Sequence, residues 1–252
     1  MTTLTRTAGF NERRLIDARL AGIIYLIIIG FAMFGELLVR GRLIVSGDAA
    51  ATAAKVTDSP WLFRLGFTTD LAYLLAEVVL VVILCQLFSS VSRPVALVAA
   101  AFRLIMLAVF FVALVNLYTG LVILSEAGSR PAFAPGRPEA LGLLFLDQYT
   151  YLHALGLILF AMNSIAMGYL LARSSHVPTM LGLLLAVAGV GYLISSLLFF
   201  LVPGYDGQVA PLLLAPALVA ESWFCLLLLR KGGGIREWAE PETRVTAGRG
   251  PT

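Results

Sequence analysis

Six apolar runs, each near the length that crosses a hydrocarbon core, decide what this chain can fold into. A membrane helix needs roughly 20 mainly apolar residues at about 1.5 Å of rise each. The runs lie near Leu20–Val39, Gly66–Phe88, Val95–Leu121, Phe145–Leu171, Met180–Val202 and Leu212–Leu229. With 60% of the 252 residues hydrophobic, 13% charged and a mean hydropathy of +0.92, the apolar surplus does not fit inside one water-facing globule. The bilayer is then the solvent. The expected fold class is all-α: a polytopic membrane helical bundle of six transmembrane helices. A disordered chain, a disulfide scaffold and a soluble enzyme of ordinary composition are excluded.

The separators carry turn chemistry. Ser46-Gly47-Asp48 and Asp58-Ser59-Pro60 punctuate the first connection, and Ser92-Arg93-Pro94 predicts a tight return. Glu126 to Gly142, with Pro131, Pro135 and Pro138, reads as a loop that is not helical throughout. Ser174 to Pro178 and Pro203 to Gly207 close the fourth and fifth runs. No internal repeat is visible, so one domain is expected: a cytoplasmic segment over 1–19, a single six-helix membrane domain over 20–230 and a mobile cytoplasmic tail over 231–252. The first run follows a polar lead without a cleavage-site pattern and reads as a retained helix. Helix five carries Gly182, Ala186, Gly189 and the Ser195-Ser196 pair, small residues that admit a neighbouring backbone. Asn116, Asn163 and Gln86 are candidates for interhelical hydrogen bonds.

Basic residues set orientation. With the N-terminus inside, eleven lysines and arginines fall in cytoplasmic segments and six in outer ones, Arg40 among the latter. Both termini are therefore expected to be cytoplasmic. The net charge of +3 is small and the basic residues are scattered through loops and tails, so no nucleic-acid partner is expected; the apolar runs make the lipid bilayer the expected partner.

Six charged residues fall inside the runs: Glu36, Asp70, Glu77, Arg103, Asp147 and Glu221. Insertion scales put such a residue at about +2.5 to +3.5 kcal/mol near a helix centre. They are expected to face the bundle interior, a wet cavity or one another. Asp70 and Glu77 are seven apart, on one helix face and about 10 Å apart along the axis. Five acids against one arginine do not all pair as ions; some are protonated, wet or bound to a cation. His153 joins them as a core histidine or a proton relay. Asp70 and Asp147 also fit the plainer reading of interfacial residues reaching water. His176 lies in a turn at another depth. Two such histidines make neither a three-histidine zinc site nor a bis-histidine haem pair, so no catalytic, cofactor or metal residues are assigned and no cofactor is expected. There is no HExxH helix, GxSxG elbow or Walker-type loop.

Several short blocks carry a family likeness. They are Arg19-Leu20-Ala21-Gly22-Ile23-Ile24-Tyr25-Leu26 with Glu36, Gly47-Asp48-Ala49-Ala50-Ala51-Thr52-Ala53, and Phe63-Arg64-Leu65-Gly66-Phe67 leading to Asp70. Ala101-Phe102-Arg103, Gly168-Tyr169-Leu170-Leu171 through Pro178 to Leu181-Gly182-Leu183-Leu184, Gly191-Tyr192-Leu193-Ile194, and Glu221 with Lys231-Gly232 complete the set. With these blocks the chain, from about Leu15 to Gly232, resembles a bacterial integral-membrane family catalogued as domain of unknown function 4386. The resemblance implies a compact multi-pass protein of the bacterial cytoplasmic membrane and brings no established activity. It picks out Glu36, Asp70, Arg103 and Glu221.

Three functions remain open. A permease component coupled to protons, or carrying a cationic or amphipathic solute, needs an outer cavity lined by Glu36, Asp70 and Asp147 that reaches Glu77 and Glu221. A scaffold whose cytoplasmic ends meet a membrane or cytoplasmic protein partner needs Arg103 closed onto a glutamate. An intramembrane lipid enzyme needs Ser164 or Ser196 beside His153.

Overall fold

The structure is a computed structural model that describes residues 2–45, 47–125, 137–175, 177–205 and 209–231. The described residues are helical or turn, without a strand. Helix α1 covers Thr2–Met33 and runs on through a π-helical turn, Phe34–Arg40, and a last helical turn, Gly41–Leu43. Helix α2, Ala49–Asp58, lies in the connection where only turn signals were visible. Its start follows from Asp48, whose carboxylate accepts the Ala51 backbone N–H at 2.9 Å. Gly47 supplies the positive φ of 75° that precedes it.

Pro60–Ser125 is helical except at Ser92, whose φ of −158° and ψ of 105° break it into two arms. We label them α3, residues 60–91, and α4, residues 93–125. Phe63 stacks on Tyr118 at 5.3 Å and Glu77 pairs with Arg103, so the arms run antiparallel, as the Ser92-Arg93-Pro94 signal requires. Pro94 falls in the first turn of α4, where no backbone donor is needed. Helix α5 is Arg137–Arg173, α6 is Thr179–Leu201 and α7 is Ala210–Lys231. Residues 137–142 of the expected proline-rich loop belong instead to α5, with Pro138 in its first turn. The rest of that loop, His176, Asp206-Gly207 and the tail over 232–252 lie outside the described residues.

Ala18–Leu43, Pro60–Ser125, Pro138–Arg173 and Thr179–Leu201 are each long and apolar enough to cross a membrane. Helix α1 packs against α3 and α7, α4 against α5, α5 against α6, and α6 against α7, which closes a ring. Its outer surface carries exposed Leu26, Leu75, Val82, Ile105, Val115, Leu183 and Leu226. Asp70, Glu77, Arg103 and Asn163 are buried instead. An apolar outside around a polar inside is the arrangement a lipid solvent favours.

Close approach of α5 and α6 depends on the small residues the sequence placed there. A Cβ on Gly182 would meet Ala172 N at 2.4 Å and Gly168 O at 2.6 Å, both backbone. Gly189 faces Ala161 O and Gly191 faces Leu213 O of α7, so that glycine pair serves helix contact on two sides. Gly182→Leu is expected to destabilise the bundle by about 1–3 kcal/mol through overpacking. Gly30→Leu, whose Cβ would meet nothing within 4 Å, is expected to be near neutral. Melting temperatures of the two variants in detergent check the contrast.

Candidate functional site

The ring brings polar side chains together at two levels. At the inner level every helix of the ring contributes. Arg103 of α4 donates twice to Glu77 of α3, Nε to Oε2 at 2.8 Å and Nη2 to Oε1 at 2.7 Å. Both side chains are buried. A planar guanidinium matches a carboxylate in this forked geometry. Asn163 of α5 accepts from Arg103 Nη1 at 3.3 Å and donates to the Ala99 carbonyl at 2.9 Å, tying α5 to α4. Phe160 of α5 and Tyr25 of α1 lie 5.1 and 6.0 Å from the guanidinium, over their ring faces. Tyr192 of α6 donates to Glu221 Oε1 of α7 at 3.2 Å. Glu221 lies within electrostatic reach of Arg103, Glu77 and Tyr25, while the ion pair of Arg103 is made to Glu77.

The outer level stands about two turns away, at the α2 end. There Arg40 donates to Glu36 Oε2 at 2.8 Å and to Asp70 Oδ2 at 2.6 Å. Tyr149 lies under the guanidinium at 5.9 Å. Asp70 can come this close because Gly35 has no side chain; a Cβ there would stand 2.5 Å from Asp70 Oδ1. That Oδ1 is buried and has no hydrogen-bond partner. His153 stacks on Phe110 at 5.0 Å and 7°, and Tyr149 tilts against it at 5.8 Å. Gly156, one turn along, leaves the room that Phe110 fills. A cavity of about 380 Å³ opens above, lined by Glu36, Arg40, Ile44, Leu146, Asp147 and Tyr149 among others.

Of the seven residues singled out in the sequence, Glu77, Arg103 and Glu221 gather at the inner level, and Glu36 and Asp70 share Arg40. His153 lines a small void with Arg40 and Asp70, and Asp147 is exposed on the cavity wall. The expected balance of five acids against one arginine is corrected by the structure: Arg40, beyond the end of the first apolar run, is a second arginine, partly buried. The π-helical turn carries the helix past it and turns its side chain inward, 15% exposed. The spacing Glu36 to Arg40, one helical turn, was the available signal. Tyr25, Tyr73, Tyr149 and Tyr192 were missed as well, because a tyrosine inside an apolar run looks like core.

Asn163 makes the interhelical bonds expected of it, whereas Asn116 bonds Val112 of its own helix. The hydroxyls of Ser164 and Ser196 have no hydrogen-bond partner, so neither is paired with His153.

Outer faces suited to lipid, four stretches long enough to cross it and a charged interior define a membrane helical bundle as the class. The chain belongs to the family described as domain of unknown function (DUF4386), whose model matches residues 20–232. Comparison with curated proteins and with solved structures gave no match.

Asn163→Leu is expected to cost about 1–2 kcal/mol, by leaving Arg103 Nη1 without its acceptor. Asn116→Leu is expected to stay within about 0.5 kcal/mol, since the half-buried Asn116 makes only an exposed bond within its own helix. Denaturant titrations of both variants in mixed micelles check the difference.

Proposed function

We propose that the chain is a six-span, multi-pass protein of the bacterial cytoplasmic membrane, with both termini inside. In this reading it serves as a permease component that takes a small amphipathic cation into the cavity at its outer end. That cavity carries the reading. Its volume of about 380 Å³ falls in the range of small-molecule sites. Glu36 and Asp147 offer exposed carboxylates on it, and Leu143, Leu146, Ile44 and Val45 offer apolar wall. Arg40 is already engaged by Glu36 and Asp70, so the local balance stays acidic. Counting Arg40 with the first apolar run leaves five basic residues in the outer segments against eleven inside, in keeping with this orientation.

A second reading, a scaffold for a membrane or cytoplasmic partner, is favoured by a different observation. The three described cavities reach Asp70 and His153 but not Glu77, Arg103 or Glu221. Below them Arg103 is closed onto Glu77.

Tetraphenylphosphonium titrated onto the protein in nanodiscs is expected to bind. Glu36→Gln with Asp147→Asn is expected to weaken it roughly tenfold or more, about 1.4 kcal/mol. Binding unchanged in the double variant, or no binding at all, would sink the cation reading. Because tetraphenylphosphonium crosses bare bilayers, uptake into proteoliposomes is read against protein-free liposomes: a permease raises the rate and a scaffold leaves it unchanged.

A further inference from the structure

Arg40 lines all three described cavities. On one side is the open cavity of about 380 Å³. On the other are two small voids of about 30 and 20 Å³, both lined by Asp70 as well. The larger of these is also bounded by Tyr73, Phe110, Tyr149 and His153. A void needs about 10–15 Å³ and two to four polar partners to hold a water. This one meets the size, and it is bordered by a carboxylate, two tyrosines and a histidine. Asp70, only 5% exposed, has an oxygen without a partner, and a buried carboxylate oxygen left bare is costly.

We propose that the void beneath Arg40 is a hydration site for Asp70, and that Arg40, which lines both spaces, is the plug between it and the outer cavity. The site holds one or two waters that donate to the Asp70 carboxylate. Two ion pairs hold the plug, one to Glu36 on the exposed side and one to Asp70 on the buried side. Glu36 has a side chain 64% exposed, so that half of the clamp is screened and weak; the Asp70 half is buried, and breaking it would leave a bare charge inside the bundle. The guanidinium therefore swings about its Asp70 anchor, and release from Glu36 joins the void to the cavity. Tyr73 is one turn before Glu77 on the same helix. Water admitted past Arg40 thus stops one turn short of the buried ion pair.

The inference concerns water and does not depend on what the outer cavity binds. Hydroxyl-radical labelling by X-ray radiolysis, on the whole protein in nanodiscs, tests the hydration. Tyr73, which lines the void but not the open cavity, is expected to label several-fold faster than Tyr192, which is likewise half-buried and lines none of these cavities. Labelling of Tyr73 at the Tyr192 rate would overturn the hydration site. The plug is tested with Tyr73→Cys in a Cys85→Ser, Cys225→Ala background. A water-soluble thiosulfonate is expected to react at least tenfold faster when Arg40→Ala is added, and equal rates would overturn the plug. Should the cysteine variant fail to fold, radical labelling of Arg40→Ala alone decides. A further several-fold rise at Tyr73 supports the plug, and no rise overturns it.

Discussion

The buried pair between Arg103 and Glu77 is the interaction on which the rest of this bundle depends. A guanidinium in lipid is tolerable only if its donors are met, and here Glu77 takes two of them and Asn163 a third. Meeting those donors fixes α3, α4 and α5 relative to one another. The two aromatic faces against Arg103 add α1 to the set, and Tyr192 with Glu221 links α6 to α7 beside it. Lipid tails give helices little reason to associate by apolar burial, so a shared polar centre is a strong source of specificity. The glycine contacts of α5 and α6 then set how closely the ring can draw together.

The outer level follows a different logic. Its arginine sits at the end of α1, in a π-helical turn, and such turns often accompany functional sites. Arg40 is shared between an exposed and a buried carboxylate, and the cavity opens at the exposed one. The inner level locks helices, while the outer level meets solvent. This division is why each of the two proposed readings, permease and scaffold, draws on a different level of the bundle.

Much of the helical layout was legible because each signal was local. Apolar runs of the right length became helices, Ser92-Arg93-Pro94 became the turn between α3 and α4, and Asp48 capped α2. Gly182 and Gly189 marked the α5 and α6 contact for the same reason: a missing side chain is visible in one residue. What was not legible depended on distant partners. Nothing local chooses between Glu77 and Glu221 as the partner of Arg103, which lie 26 and 118 positions away. Arg40 was misplaced because a π-helical turn extends a helix beyond where an apolar run ends. The tyrosines were unreadable because their hydroxyls matter only once a carboxylate, or a void, is beside them.

A double-mutant cycle on Arg103→Met and Glu77→Leu, read as unfolding free energy in mixed micelles, tests the central role of the buried pair most directly. Each single variant leaves one charge buried without its partner and is expected to lose about 3–5 kcal/mol. The double variant removes both charges and is expected to lose clearly less than the sum, with a coupling of at least ~2 kcal/mol. Losses that simply add, within about 0.5 kcal/mol, would show that the two residues act independently and that the bundle is organised by something else.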